Sequence, residues 1–357
     1  MAEAALPIRA RPESDASAAS SATIENLLMT ELLLKLVVVK EKPTRHSAIQ
    51  FNQVQWRASS GGPDRKIRSV AAGRISEAVA AKTLEARGSD GSSAADAYRP
   101  VTTPGVYIPT ALTVAPQWPD LTPFAMTNPS QFRPKPPIAL ESEQWAQDYN
   151  EIKELGEKNS AKRSARQTED ARFWLLTGPL STHPLLRQVV IGKAMPVTDS
   201  ARFMAVITAA EADAMIAVLD AKYKYGFWRP ITAIRNGDID GNAATERAAS
   251  WQPIDNTPMH PEYPCAHCIV SSAVASAIET ILGTADIPEV AMTSPTAPGV
   301  THRWTNLNAY ADEVAAARIA AGFHYRFSTV VGQDMGRQIG IHTVNAIAQP
   351  LATDSAR

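Results

Sequence analysis

The stretch HPEYPCAHC, residues 260–268, places His260, His267 and the chain's two cysteines, Cys265 and Cys268, within nine positions. Three chemistries use such residues at such spacing. A CxxC pair cycles between dithiol and disulfide. Four His and Cys side chains can hold zinc, and the set here would be His260, Cys265, His267 and Cys268. A helix that starts behind a proline offers free N–H groups and the positive end of its dipole to an anion. Pro264 followed by CAHCIVSSAVASAIETILG predicts such a start, with His267 in its first turn. The first two chemistries fit less well. A thioredoxin-like CxxC follows a strand, whereas NTPMHPEYP is proline-broken coil, and four ligands within nine residues leave almost no chain to wrap around one ion. A buried cysteine pair beside one polar histidine is the plain packing alternative.

Two further stretches carry candidate chemistry. In KYKYGFWRP, Lys222 and Arg229 are seven residues apart. Two helical turns put them on one face, roughly 10 Å apart along the axis. Pro230 biases Arg229 toward extended backbone, which can swing its guanidinium off the helix end. The packing alternative is a helix C-terminus with favourable basic residues and aromatic bulk behind it. In ARIAAGFHYRFS, Arg318 and His324 are six apart and lie about 120° from each other on a continuous helix. They converge only if the helix breaks between them, and Gly322 is the place for the break. Taken alone, this stretch reads equally as an exposed Arg and a histidine at a helix end.

Together the three stretches say more than each alone. Lys222, Arg229 and Arg318 are three cations beside a helix N-terminus and two histidines, in a chain with 35 basic and 36 acidic residues and net charge −1. No partnering carboxylate is read among these motifs. Concentrated positive charge needs a counterion, and a tetrahedral oxyanion fits planar guanidinium donors. One histidine can then bond the central atom while the other moves a proton.

The elements that position these residues read as helices. Apolar positions recur at three and four residues in SEQWAQDYNEIKELG (N-cap Ser142, stop at Gly156), TEDARFWLLTG, SARFMAVITAAEADAMIAVLDAKYKYGFW, the stretch after Pro264, NAYADEVAAARIAAG and STVVGQDMGRQIGIHTVNAIA. An earlier Ala-rich helix is expected over Ile67–Arg87, stopped by GSDGSS. No run of alternating β-branched residues predicts a sheet. Between the first helix and the rest runs a Pro-rich coil, from Tyr98 to Pro137, whose prolines forbid long helices and interior strands. Such a coil wraps the surface or lines a site, and VTHRWTNLNAY is expected to help shape the entrance. The fold class is all-α, a helical bundle with long Pro-rich surface loops. The domain boundaries are a partly disordered N-terminal segment at 1–65, a helical domain at 66–350 and a tail at 351–357. The balanced charge excludes a general nucleic-acid surface. The most apolar early run, LLMTELLLKLVVV, is broken by Glu31 and Lys35 and is too short to span a bilayer. The start shows no recognisable signal peptide, so the chain reads as soluble, with export open if the start is misplaced.

Lys-x6-Arg-Pro, then Pro-Ser-Gly-His, then Arg-x5-His is the signature of the vanadium haloperoxidase and type-2 phosphatidic acid phosphatase superfamily. This chain resembles it, with Lys222-x6-Arg229-Pro230, Pro264-Cys265-Ala266-His267 and Arg318-x5-His324 in the same order and at gaps of the family's size. The resemblance spans roughly residues 66–350, with specific motifs at 222–328. It implies an α-helical bundle around an oxyanion. Lys222, Arg229, Arg318, Cys265 and Ala266, the last through its backbone N–H, would hold the anion. His324 would bind the central vanadium axially, as the metal ligand, and His267 would be the acid/base. The cofactor implied is vanadate, with phosphate able to occupy the same site.

The resemblance supports a haloperoxidase that uses hydrogen peroxide and a halide, with Lys222 polarising the peroxide. The alternative is a soluble acid phosphatase acting on a phosphomonoester through a phosphohistidine at His324. A helical anion-binding protein without catalysis is the third. Cys265 stands where serine is usual and donates only weakly, and a thiol near peroxide risks oxidation. Ser328 stands where the phosphatase branch has aspartate, so the usual carboxylate partner of His324 is expected to be missing. His260 matches the place where algal bromoperoxidases have histidine and fungal chloroperoxidases have phenylalanine. That makes His260 the halide-site candidate and points to bromide, or iodide, rather than chloride.

Overall fold

The computed structural model describes residues 63–109 and 111–347. The expected tail at 351–357 and nearly all of the segment at 1–65, including LLMTELLLKLVVV, lie outside the described residues. Among the described residues are nine α-helices and one β-hairpin. The first helix, α1 (Pro63–Arg87), ends at the same arginine that the GSDGSS stop predicts. Two short helices follow the Pro-rich coil. In α2 (Glu143–Leu155) the Ser142 side chain accepts the Trp145 N–H and Gly156 caps the C-terminus, as the sequence implies. In α3 (Ala165–Phe173) Ser164 and Gln167 form a capping box. After α4 (His183–Gly192) comes the long α5 (Val197–Tyr225), then the single-turn-and-a-half α6 (Pro230–Arg235) and α7 (Ala266–Leu282). The chain closes with α8 (Leu307–Ala320) and α9 (Arg326–Ala346). None of these helices is long and apolar enough to cross a membrane.

The main core lies between α4, α5, α7 and α8, with Phe203, Val206, Ile207, Val274, Ile278, Tyr310 and Val314 packed together. A second cluster joins α5, α7 and α9 to the coil through Ala217, Leu219, Ile269, Ala273, Met335 and Ile339. Because α5 is buried along most of its length, its carboxylates need partners inside the fold. The Pro-rich coil supplies them for two of the three buried ones, Asp213 and Asp220 but not Glu211. Asp213 accepts the backbone N–H groups of Phe124, Ala125 and Met126 at 2.6–2.9 Å, and Asp220 is bidentate with Arg133 at 2.6 and 2.7 Å. Tyr225 adds a bond from its hydroxyl to the Pro134 carbonyl.

The sequence reading missed a sheet. β1 (Asp286–Ser294) and β2 (Ala297–Asn306) pair antiparallel, with register shifts near both ends. Their alternation is real but short: Val290, Met292 and Ser294 face inward on one strand, His302 and Trp304 on the other. Prolines at 288, 295 and 298 hid three periods of alternation behind a loop-like composition. The stretch VTHRWTNLNAY, expected at the entrance, therefore belongs to β2 and the start of α8, and Trp304 and Tyr310 sit in the main core.

The pairing of α7 with α9 sets the spacing of everything described next. Gly332, Gly336 and Gly340 repeat every fourth residue and so share one face of α9. A Cβ at Gly332 would lie 2.8 Å from the Cys265 carbonyl oxygen, and one at Gly336 would run into the Ile269 carbonyl and come within 2.9 Å of the Ser272 Cβ. At Gly340 the Ser276 hydroxyl blocks the same space. Backbone therefore approaches backbone along the whole contact, which no larger residue permits. Gly336→Ala is expected to lower stability by about 1–3 kcal/mol through overpacking, read as a reduced midpoint in urea unfolding with an unchanged m-value.

Candidate active site

The three motif stretches meet at one place, at the ends of α5, α7 and α8. α5 delivers Lys222 in its last turn, and Gly226 then takes a left-handed conformation (φ 56°) that turns the chain. Arg229 follows with extended backbone (φ −76°, ψ 154°), as a residue before proline should. α7 begins at Ala266 with Cys265 as its N-cap. α8 ends at Ala320, and Gly322 (φ 79°) breaks the helix where convergence of Arg318 and His324 requires it. A Cβ at Gly322 would meet the Gly156 carbonyl and lie 2.9 Å from the Pro253 side chain, so the break is also a tight fit.

Arg229 ties the motifs together. Its Nε donates to the His260 carbonyl at 2.9 Å and its Nη1 to the Phe323 carbonyl at 3.0 Å. Nη1 also lies 3.3 Å from His324 Nε2, and Nη2 lies 3.0 Å from His260 Nδ1. Lys222 Nζ donates to the carbonyls of Pro261 and Glu262 at 2.9 and 2.7 Å, leaving one of its three protons uncommitted. Arg318 donates from Nη1 to the Trp174 carbonyl at 2.6 Å and lies 4.8 Å over the Phe323 ring. Its Nε is buried with no hydrogen-bond partner. All three cations are at most 2% exposed.

Glu262 corrects the sequence reading twice. It lies inside HPEYPCAHC, so a carboxylate does accompany the cations. It also supplies the partner that Ser328 cannot: His324 Nδ1 lies 2.8 Å from Glu262 Oε1, which accepts the Tyr325 N–H as well. The second oxygen, Oε2, is buried without a hydrogen bond. Nothing in the local sequence marks Glu262, because the two partners are 62 residues apart. Ser328 sits buried in the first turn of α9, where its carbonyl accepts the Cys265 N–H at 3.2 Å.

The electrostatics follow from burial. Desolvation lowers Lys222 well below its ordinary value, and the nearby Arg229 lowers it further. Desolvation also brings Arg229 down to about 10 and Arg318 to about 9, the latter with help from Arg229. Glu262 is pushed up to about 7 by burial, while Lys222 and Arg229 hold it down. His260, His267 and His324 are all held well below 6.5, first by burial and then by the cations around them. At neutral pH each is an uncharged imidazole with one proton. That of His324 sits on Nδ1, facing the carboxylate, so Nε2 keeps its lone pair. That of His267 sits on Nε2, 3.1 Å from the Leu176 carbonyl, leaving Nδ1 as an acceptor.

Cys265 and Cys268 form a disulfide, and both are fully buried. This corrects the role expected of Cys265. Its sulfur has no proton to give an anion; it accepts the Cys268 N–H at 3.3 Å and caps the helix. Zinc ligation by these two sulfurs is excluded in the disulfide form, and their burial leaves no surface for a dithiol partner. The same bond removes the free thiol that peroxide would oxidise. His260 lies beside Arg229 as described, and a cleft of about 290 Å³ reaches Arg229 between Tyr107, Ile108, Pro258 and Met259. Two of those walls come from the Pro-rich coil, as its placement around a site requires.

The arrangement can bind a tetrahedral anion and hold one uncharged imidazole nitrogen toward it. Comparisons with known proteins agree with the geometry. Residues 202–353 match the family model described as the VCPO second helical-bundle domain. A bacterial vanadium-dependent iodoperoxidase has the same fold, at 23% identity and TM-score 0.65, covering 78% of this chain and 68% of its own. A bacterial vanadium-dependent chloroperoxidase in its holo form is similar at 17% identity and TM-score 0.61, covering 76% of this chain and 71% of its own. No curated protein matches in sequence.

Sulfate keeps a constant charge of −2 across neutral pH and so tests the pocket by itself. As pH rises, Glu262 ionises through about 7 and Lys222 loses its proton below its ordinary value. Both changes subtract positive charge, so sulfate affinity is expected to fall as pH rises through about 7, by up to about tenfold per pH unit for each proton taken up on binding. Calorimetric titration at several pH values checks this, and Lys222→Met should flatten the profile.

Proposed function

We propose, from the premise that this chain is a member of the vanadium-haloperoxidase-like superfamily, that it is a vanadate-dependent haloperoxidase. It would oxidise halide with hydrogen peroxide to hypohalous acid, bromide in preference to chloride. The observation that carries the reading is the excess of buried charge: three cations at most 2% exposed, around one carboxylate that burial holds near 7. Buried charge of one sign is costly without a counterion.

Vanadate fits what is present. It has the tetrahedral shape and negative charge that Lys222, Arg229 and Arg318 suit, and Arg318 Nε is a buried donor without a partner. In the first turn of α7 the N–H groups of Ala266 and His267 have no partner within the helix, while Cys265 Sγ takes that of Cys268. His324 would hold the group through Nε2, because Glu262 fixes its proton on Nδ1. A carboxylate behind a metal-binding imidazole is the usual way to orient the ring and raise its basicity. Bound vanadate supplies Lewis-acid activation of hydrogen peroxide. The chain's own part is then to hold charge and protons. The three cations would stabilise negative charge without rearranging, Lys222 would polarise hydrogen peroxide with its uncommitted N–H, and His267 Nδ1 would accept a proton from it. His260, uncharged and against Arg229, would be the residue that sets the halide preference.

One observation favours a second reading. The Glu262–His324 pair equally makes His324 a better nucleophile toward phosphorus, so Glu262 restores what Ser328 had taken from the acid phosphatase alternative. Paired assays on one sample separate the two. Bromination of a dimedone-type acceptor that requires vanadate and peroxide and is lost in His324→Ala supports the haloperoxidase. Hydrolysis of an aryl phosphate without bromination, inhibited by vanadate, overturns it in favour of the phosphatase. Glu262→Gln gives an independent check: it is expected to weaken vanadate binding about 10–100-fold while leaving phosphate binding equal or tighter, since only vanadate depends on the imidazole lone pair.

A further inference from the structure

We propose that Glu169, Asp170 and His302 form a second, cationic site, which takes one divalent first-row transition metal of the zinc class. The three residues come from α3 and β2, and their donor atoms lie within 4.8 Å of one another. His302 is 2% exposed, and its ring is clamped between Phe173, stacked at 3.9 Å and 5°, and the edge of Trp304. Its Nδ1 lies 2.6 Å from Glu313 Oε1. Glu313 also accepts the indole N–H of Trp174 at 3.0 Å and of Trp304 at 3.2 Å, so it is an acceptor on every side and takes the Nδ1 proton too. That leaves the lone pair on His302 Nε2.

His302 Nε2 is buried and makes no hydrogen bond. It points between Glu169 Oε1 at 3.5 Å and Asp170 Oδ1 at 3.6 Å. A lone pair facing two carboxylate oxygens is repulsive. The observed separations match the edge of a coordination tetrahedron, about 3.4 Å for ligands about 2.1 Å from the metal. One imidazole nitrogen with two carboxylates suits a zinc-class ion better than calcium or magnesium, which take all-oxygen shells.

Charge points the same way. Glu169, Asp170 and Glu313 carry three negative charges, and among the described residues Arg166 is the one arginine or lysine paired with them. Its guanidinium pairs with Glu169 at 3.1 Å, Asp170 at 2.8 Å and Glu313 at 3.4 Å, yet its side chain is 57% exposed. A surplus of two negative charges remains, which a divalent ion balances while Arg166 yields at the rim. The site would act on the pocket through α3. Trp174 and Leu176, just beyond its end, carry the carbonyls that hold Arg318 and His267.

The test uses the full chain, stripped by chelator and dialysed, with Zn2+ alone as the probe. One equivalent is expected to bind by calorimetry and to stay through gel filtration. The melting temperature should rise by about 4 °C or more at hundredfold excess over Kd. Glu169→Gln and Asp170→Asn, both on the partly exposed side, should each weaken zinc binding at least tenfold, and His302→Gln should abolish it. Arg166→Ala should tighten it by removing the competing cation. The proposal is overturned if the wild type retains no zinc, if the Glu169→Gln/Asp170→Asn double variant keeps the same stoichiometry and affinity, or if Arg166→Ala weakens binding.

Discussion

Three buried cations facing one buried carboxylate form the constraint around which the fold is arranged. Such a group is not self-sufficient. Lys222, Arg229 and Arg318 repel one another, and burial depresses all three. Backbone carbonyls do most of the restraining: those of Pro261 and Glu262 hold Lys222, those of His260 and Phe323 hold Arg229, and that of Trp174 holds Arg318. Carbonyl dipoles fix the cations in place without neutralising them, which keeps the net charge available to an incoming anion. A second or third carboxylate here would give a more stable empty pocket and a weaker anion site.

Holding charges in that state requires rigid supports, and the helix pairing supplies them. The glycine face of α9 lets it lie against α7, and the two helices place Cys265 and Ser328 in direct backbone contact. His324 precedes α9 and His267 opens α7, so the separation of the two imidazoles is set by backbone rather than by side-chain packing. Gly322 and Gly226 act similarly at the ends of α8 and α5, turning the chain so that residues from different helices face one point.

Much of this was legible in the sequence, and the reason is geometric. Lys222, Arg229, Arg318, His267 and His324 each sit at a helix end, where spacing, proline and glycine state the local geometry. Glu262 was not legible, since its role depends on a partner brought in by tertiary contact. The hairpin was hidden because its alternation runs for only three periods among prolines. The cysteine spacing was visible, but whether its sulfurs would face an anion, a metal or each other depended on burial. His302 had no motif around it at all; only the convergence of α3, β2 and α8 gives it carboxylate neighbours.

The Pro-rich coil is fastened to α5 by the side chains of that helix: Asp213 and Asp220 grip it at two points one heptad apart, and Tyr225 at a third. Proline-rich segments have few N–H groups with which to knit themselves into a fold. The helix that presents Lys222 thus also stations the loop that walls the cleft. The end of the coil that lines the cleft is held separately, by the Tyr107 N–H on the Gly226 carbonyl at 2.6 Å and the Trp228 N–H on the Gly105 carbonyl at 3.0 Å, so the wall of the cleft and its charged floor share one anchor at the turn after α5.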